Sequence, residues 1–115
     1  MQKLSEDQCR RTIAEGEIPE EVRRADERVA VVLTQSWCPD WLLMRSYLSG
    51  LEESGVSVFF VEYDRESFFH ELMAFKENVF RSMEVPYVRY YRDGALVAES
   101  NLVFSRRGFL KRFKT

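Results

Sequence analysis

The stretch Val29-Ala30-Val31-Val32-Leu33-Thr34-Gln35-Ser36-Trp37-Cys38-Pro39-Asp40-Trp41 decides the fold. Its first five residues are apolar and mostly β-branched, the pattern of a short strand buried on both faces. Trp37-Cys38-Pro39 then opens a helix, which puts a thiol at a helix N-terminus. There the unpaired backbone N–H groups and the positive end of the helix dipole favour a thiolate. Asp40 suits the helix but opposes a neighbouring thiolate, each effect being on the order of 1 kcal/mol at exposed sites. Three residues after Cys38, where a dithiol motif carries its second cysteine, stands Trp41.

Helical spacing continues outward from this junction through Trp41, Leu42, Tyr47, Leu48 and Leu51, up to Gly55. Val56–Val61 is the next strand, and Phe68, Leu72, Phe75 and Val79 mark one face of a further helix. Val85–Tyr91 and Leu96–Glu99 are extended runs on either side of Asp93-Gly94, a strong hairpin signal because both residues tolerate positive φ. Ser105 caps a final helix carrying Phe109, Leu110 and Phe113. Before the first strand, Ser5 and Gln8 form a capping box, with Leu4 and Cys9 at the staple positions, Gly16 as a stop and Pro19 opening a short second helix.

The order strand, helix, strand, helix, hairpin, helix predicts an α/β fold. It has a central mixed sheet of about four strands with helices on both faces. The 115 residues form a single domain, with its core over about 29–113 and a helical N-terminal extension over 1–28. Composition agrees with a globular domain, at 45% hydrophobic and 31% charged residues. A net charge of -2 gives no global field for nucleic acid, and no apolar run approaches the roughly 18–20 residues of a membrane span. The charged amino terminus lacks a secretory pattern, so the expected location is cytoplasmic. Two cysteines 29 apart and one histidine make a protein-only metal site improbable.

The block from about Val29 to Phe113 resembles the thioredoxin superfamily. The resemblance is carried by Trp37-Cys38-Pro39, by Val85-Pro86 ahead of the hairpin, by Asp93-Gly94 and by the closing amphipathic helix. It implies a thioredoxin-like fold, a cis peptide bond at Pro86 beside Cys38, and a loop at Val85-Pro86 that offers backbone groups to an extended substrate. It also implies Cys38 as nucleophile and Trp37 as the aromatic residue before it. Three departures accompany it. Trp41 replaces the resolving cysteine, Val32 stands where family reductases carry a buried acid, and no strand is evident ahead of the first helix. Single-cysteine peroxidases of this fold carry Thr or Ser three residues before the nucleophile, where this chain has Gln35. Cluster-carrying monothiol glutaredoxins continue their motif with small residues, unlike Pro39-Asp40-Trp41.

Two functions follow. The first is a monothiol thioredoxin-like protein, in which Cys38 forms mixed disulfides with a protein substrate and an external thiol resolves them. No resident cofactor is expected, with glutathione or another small thiol as co-reductant. The alternative is a redox-inert module that binds a protein partner through a partly exposed aromatic surface of Trp37, Trp41 and Tyr87. Pro39, Val85 and Pro86 complete the expected contact residues in either case. Cys9 reads as a small apolar residue, with a distant resolving thiol as the other possibility. His70 reads as solvated or packed. The run Arg106, Arg107, Lys111, Arg112 and Lys114 reads as a solvated helix face, with an anionic-partner site as the minority reading.

Overall fold

Strand β2 (Arg28–Thr34) lies at the centre of a five-stranded sheet in the order β1-β3-β2-β4-β5. The computed structural model describes residues 1–114. β2 pairs in parallel with β3 (Val56–Glu62) and antiparallel with β4 (Tyr87–Arg92), and β4 pairs antiparallel with β5 (Ala95–Ser100). Asp93 and Gly94 join β4 to β5 with φ of 52° and 83°, the left-handed pair that a two-residue hairpin requires.

The sheet is mixed and covered on both faces, with one strand more than the sequence pattern shows. The extra strand, β1 (Gln2–Lys3), pairs in parallel with β3 at Phe59 and Phe60, and Leu4 N donates to Phe60 O at 2.8 Å. Two exposed polar residues carry no alternation, so pattern reading cannot find such a strand. The segment 1–28 thus supplies an edge strand, and its Leu4, Cys9, Ile18 and Val22 are buried in the core.

Alternation along β2 divides the core. Val29, Val31 and Leu33 face α1 (Glu6–Glu15), α2 (Glu20–Arg23) and α4 (Phe69–Asn78), where they meet Cys9, Val22, Leu72 and Phe75. Ala30 and Val32 face α3 (Pro39–Leu48) and α5 (Arg106–Lys111), where they meet Trp41, Met44, Leu48 and Phe109. Burying each Val or Leu in such a strand is worth about 1.5–3 kcal/mol. Helix α1 carries the capping box of Ser5 and Gln8 and stops at Gly16 with φ of 83°.

Helix α3 is shorter than its apolar spacing suggests. It ends at Leu48, and a 3-10 turn over Leu51–Ser54 completes the path to Gly55. Leu42 and Val79, both placed on apolar faces by spacing, are exposed. α3 turns Leu42 to solvent, and α4 stops one residue before Val79.

One polar network is buried between β4 and the loop that follows α1. Arg89 donates to the Tyr91 and Tyr87 hydroxyls at 2.7 and 2.8 Å and to Glu17 Oε2 at 2.9 Å, with its guanidinium 3.9 Å from the centre of the Phe80 ring. Desolvation works against this charge, and its tyrosine partners outweigh the loss. Burial likewise lifts the hydroxyls of Tyr87, Tyr90 and Tyr91 well above the ordinary value near 10, and that of Tyr47 to about 12.

The unfolded chain ionises these tyrosines first, so their stabilisation is complete below about pH 10 and is lost as pH rises through their folded values. Tyr63 and the Cys9 thiol, also raised by burial, act in the same sense, while Lys76, held low by burial, acts in the opposite one. Thermal melts followed by circular dichroism are expected to show Tm falling steeply above about pH 10. A Tm that stays level beyond that point would show these hydroxyls to be solvated.

Candidate functional site

The site lies where β2 ends. Thr34 is its last residue, and Gln35, Ser36 and Trp37 form the turn into α3, closed by Cys38 N donating to Gln35 O at 3.2 Å. Asp64, just past β3, anchors the turn. Ser36 N and Ser36 Oγ donate to its two carboxylate oxygens at 2.7 and 2.5 Å. Burial would push the Asp64 carboxyl up, but these bonds outweigh it and hold it below its ordinary value.

Cys38 is the N-cap of α3 in an extended conformation, and Pro39 occupies the first helical position, where its missing N–H costs nothing. The Cys38 thiol is nearly enclosed, at 3% exposure, and donates to the Val85 carbonyl at 3.6 Å. The Val85–Pro86 peptide is cis. Val85 is half-buried against both halves of the core, and Pro86 is buried, with its carbonyl accepting from Asn101 Nδ2 at 3.1 Å. The loop leading to Val85 is tied from beneath, where the buried Lys76 ammonium donates to Ser82 O at 2.8 Å and Glu84 O at 3.0 Å. Desolvation holds that ammonium below its ordinary pKa.

Cys38 meets the Val85 carbonyl next to Pro86, but the expected aromatic surface does not form. Trp37 is 62% exposed, with its indole N–H donating to Gln35 Oε1 at 2.6 Å. Trp41 is wholly buried at 0% exposure on the inner face of α3. Its ring packs on Phe60 at 5.7 Å, and its N–H donates to Glu62 Oε2 at 2.8 Å. Tyr87 is buried on the other face of the sheet, beside Phe80 and Arg89. The reason is the strand period of two, which sends Tyr87 with Arg89 and Tyr91 away from the α3 face. Cys9 cannot resolve a disulfide at Cys38, because the sheet separates the two free thiols. Burial also pushes the Cys9 thiol up to about 12.

Glu62, Asp64, Lys76 and Asn101 escaped the sequence reading. Each acts on a segment some distance away in the chain, and no local pattern signals such a bond. His70 is exposed and stacks on Phe69 at 4.8 Å. Among the described residues no cluster of His, Cys, Asp or Glu could hold a metal ion. No helix among them is long and apolar enough to cross a membrane.

No family model matches this chain, and no curated protein sequence does. Solved structures do match. Thioredoxin O2 from Arabidopsis thaliana, in its oxidised state, superposes with a TM-score of 0.65 at 20% identity over 96% of this chain and 90% of its own. Plasmodium falciparum thioredoxin gives 0.56 at 19% identity, over 84% of this chain and 90% of its own. Reduced glutaredoxin C1 from Populus tremula x tremuloides gives 0.56 at 15% identity, over 93% and 81%. The chain has the thioredoxin fold, an α/β architecture with the thiol-bearing helix leaving the central strand.

Trp41→Cys would restore a dithiol motif on paper, yet it removes a core indole. Its expected cost in urea unfolding is roughly 3–5 kcal/mol, against less than about 0.5 for Trp37→Ala. Equal costs would refute the assignment of Trp41 as a core anchor. Among the described residues Thr34 Oγ1 is buried without a partner. Thr34→Val therefore stabilises by about 1 kcal/mol, since leaving a hydroxyl unsatisfied costs that much or more. A destabilised valine variant would mean the hydroxyl is bonded in solution.

Proposed function

We propose that this protein carries out thiol–disulfide exchange through one thiol, Cys38, on an extended protein segment, with a small thiol such as glutathione as reductant. The observation that carries this reading is the 3.6 Å contact of Cys38 Sγ with the carbonyl of Val85, next to cis Pro86 and at the head of α3. A substrate segment lying along Val85 and Pro86 would present its sulfur to that thiol.

The Cys38 sulfur attacks one sulfur of the substrate disulfide. The S–S bond breaks, the other substrate sulfur leaves as a thiolate, and the Cys38 proton passes to it through solvent. A first small thiol attacks the substrate sulfur of the mixed disulfide and frees Cys38. A second small thiol then displaces the substrate thiol. One substrate disulfide is reduced and two small thiols leave as their disulfide. Trp41 has no sulfur to offer, so neither step closes within the motif.

The near-complete burial of Cys38 favours a second reading, a redox-inert module that docks a protein partner. With Trp41 and Tyr87 inside, its contact surface reduces to Trp37 and to Met83, an exposed residue two positions before Val85. Intact-mass analysis after treatment with oxidised glutathione separates the two. One glutathione adduct on Cys38, and none on Cys9 or in Cys38→Ser, is the expected result. A folded protein that stays unmodified would end the redox reading in favour of the module.

A further inference from the structure

At the far end of β2 from Cys38, a cleft of about 610 Å³ is lined by Arg28, Arg106, Arg107, Leu110, Lys111 and Lys114. Among the described residues five of its six walls are cationic and none is acidic. β2 spans Arg28–Thr34 at about 3.3 Å per residue, so Arg28 stands about 20 Å along the strand from the end that leads to the thiol. None of the five cations has an ion-pair partner among the described residues. That isolation stands out in a chain whose net charge is -2 and in which Arg10, Arg11, Arg24 and Arg89 each have a carboxylate partner within 3.0 Å.

Two of the guanidiniums are set in place. Arg28 donates through Nη2 to Ser54 O and lies 5.9 Å from the Phe113 ring centre. Arg106 donates through Nη2 to Tyr47 O at 3.2 Å. Each rests against a glycine at one end of the 3-10 turn Leu51–Ser54. A Cβ at Gly50 would lie 2.7 Å from Arg106 Nη2, and one at Gly55 would lie 3.3 Å from Arg28 Nη2. Both guanidiniums retain further donors, and Arg107, Lys111 and Lys114 are exposed around them.

We propose that this cleft binds a small molecule bearing two or more adjacent phosphates. Planar guanidiniums match phosphate oxygens in pairs, and the lysines add point charge. A concavity of this size falls in the small-molecule range of roughly 300–1,000 Å³, and Leu110 gives it an apolar wall for the body of the ligand. A long nucleic acid is disfavoured by the overall negative charge. The proposal is independent of Cys38.

Isothermal titration of the full chain with inorganic tripolyphosphate and with ATP tests it. Saturable binding that weakens with salt is expected, with Arg107→Glu/Lys111→Glu losing roughly tenfold or more. Gly50→Ala keeps every charge but displaces the Arg106 guanidinium, and it is expected to lose affinity as well. Circular dichroism melts confirm that both variants fold.

Co-sedimentation with phosphatidylcholine vesicles containing phosphatidylinositol bisphosphate distinguishes the source of the phosphates. Binding to vesicles but to neither soluble probe would overturn the small-molecule site. Preference for an oligoglutamate peptide over tripolyphosphate would overturn the phosphate assignment. Gly50→Ala binding as tightly as the native chain would reduce the cleft to unspecific charge and overturn the built site.

Discussion

Everything in this molecule depends on β2 being buried on both faces while bonded along both edges. Its alternate residues feed two separate cores, and its parallel partner β3 and antiparallel partner β4 fix the sheet order. The same strand sets the distance between its two ends. Arg28 opens it beside the basic cleft, and Thr34 closes it beside the thiol junction. A polar side chain in its middle would face helix packing whichever way it pointed, which is why the run is apolar throughout.

The thiol junction gives the position three residues after Cys38 to packing. Trp41 joins α3 to β3 through the Phe60 ring and Glu62, so the place of a second sulfur is filled by a large buried anchor. The remaining thiol does not stand free. It is held between the helix start and the Val85 carbonyl, and the loop carrying that carbonyl is itself held by Lys76 and Asn101. Hydrogen bonds to backbone carbonyls thus fix the surroundings of Cys38.

Two charges inside the fold are tolerated because hydrogen-bond acceptors meet them. Arg89 is surrounded by hydroxyls, a carboxylate and an aromatic face, and Lys76 by two carbonyls. Such groups are expensive to bury and more expensive to strand, so removing a partner would cost more than removing the charge with it. The cations of the distal cleft differ. Two are oriented by carbonyls, and none has an ion-pair partner among the described residues.

The elements legible in the sequence were those with a local cause. Val29–Leu33 reads as a two-faced strand from its own composition, Asp93-Gly94 as a turn from its φ tolerance, and Ser5 with Gln8 as a cap from their spacing. The order of motifs places Cys38 beside Val85 and Pro86, and the thiol lies 3.6 Å from the Val85 carbonyl. What escaped was each feature that depends on a distant partner. β1 exists only because β3 offers it an edge, and Asp64 matters only because Ser36 comes back to meet it. Trp41 and Tyr87 looked like surface because they flank the site in sequence. Helix phase and strand alternation turn them to opposite sides of the sheet and bury both. Local preferences thus determined the elements and their order. Only packing decided which side chains reach the site, because direction across a sheet or around a helix has no meaning until the neighbouring layer is in place.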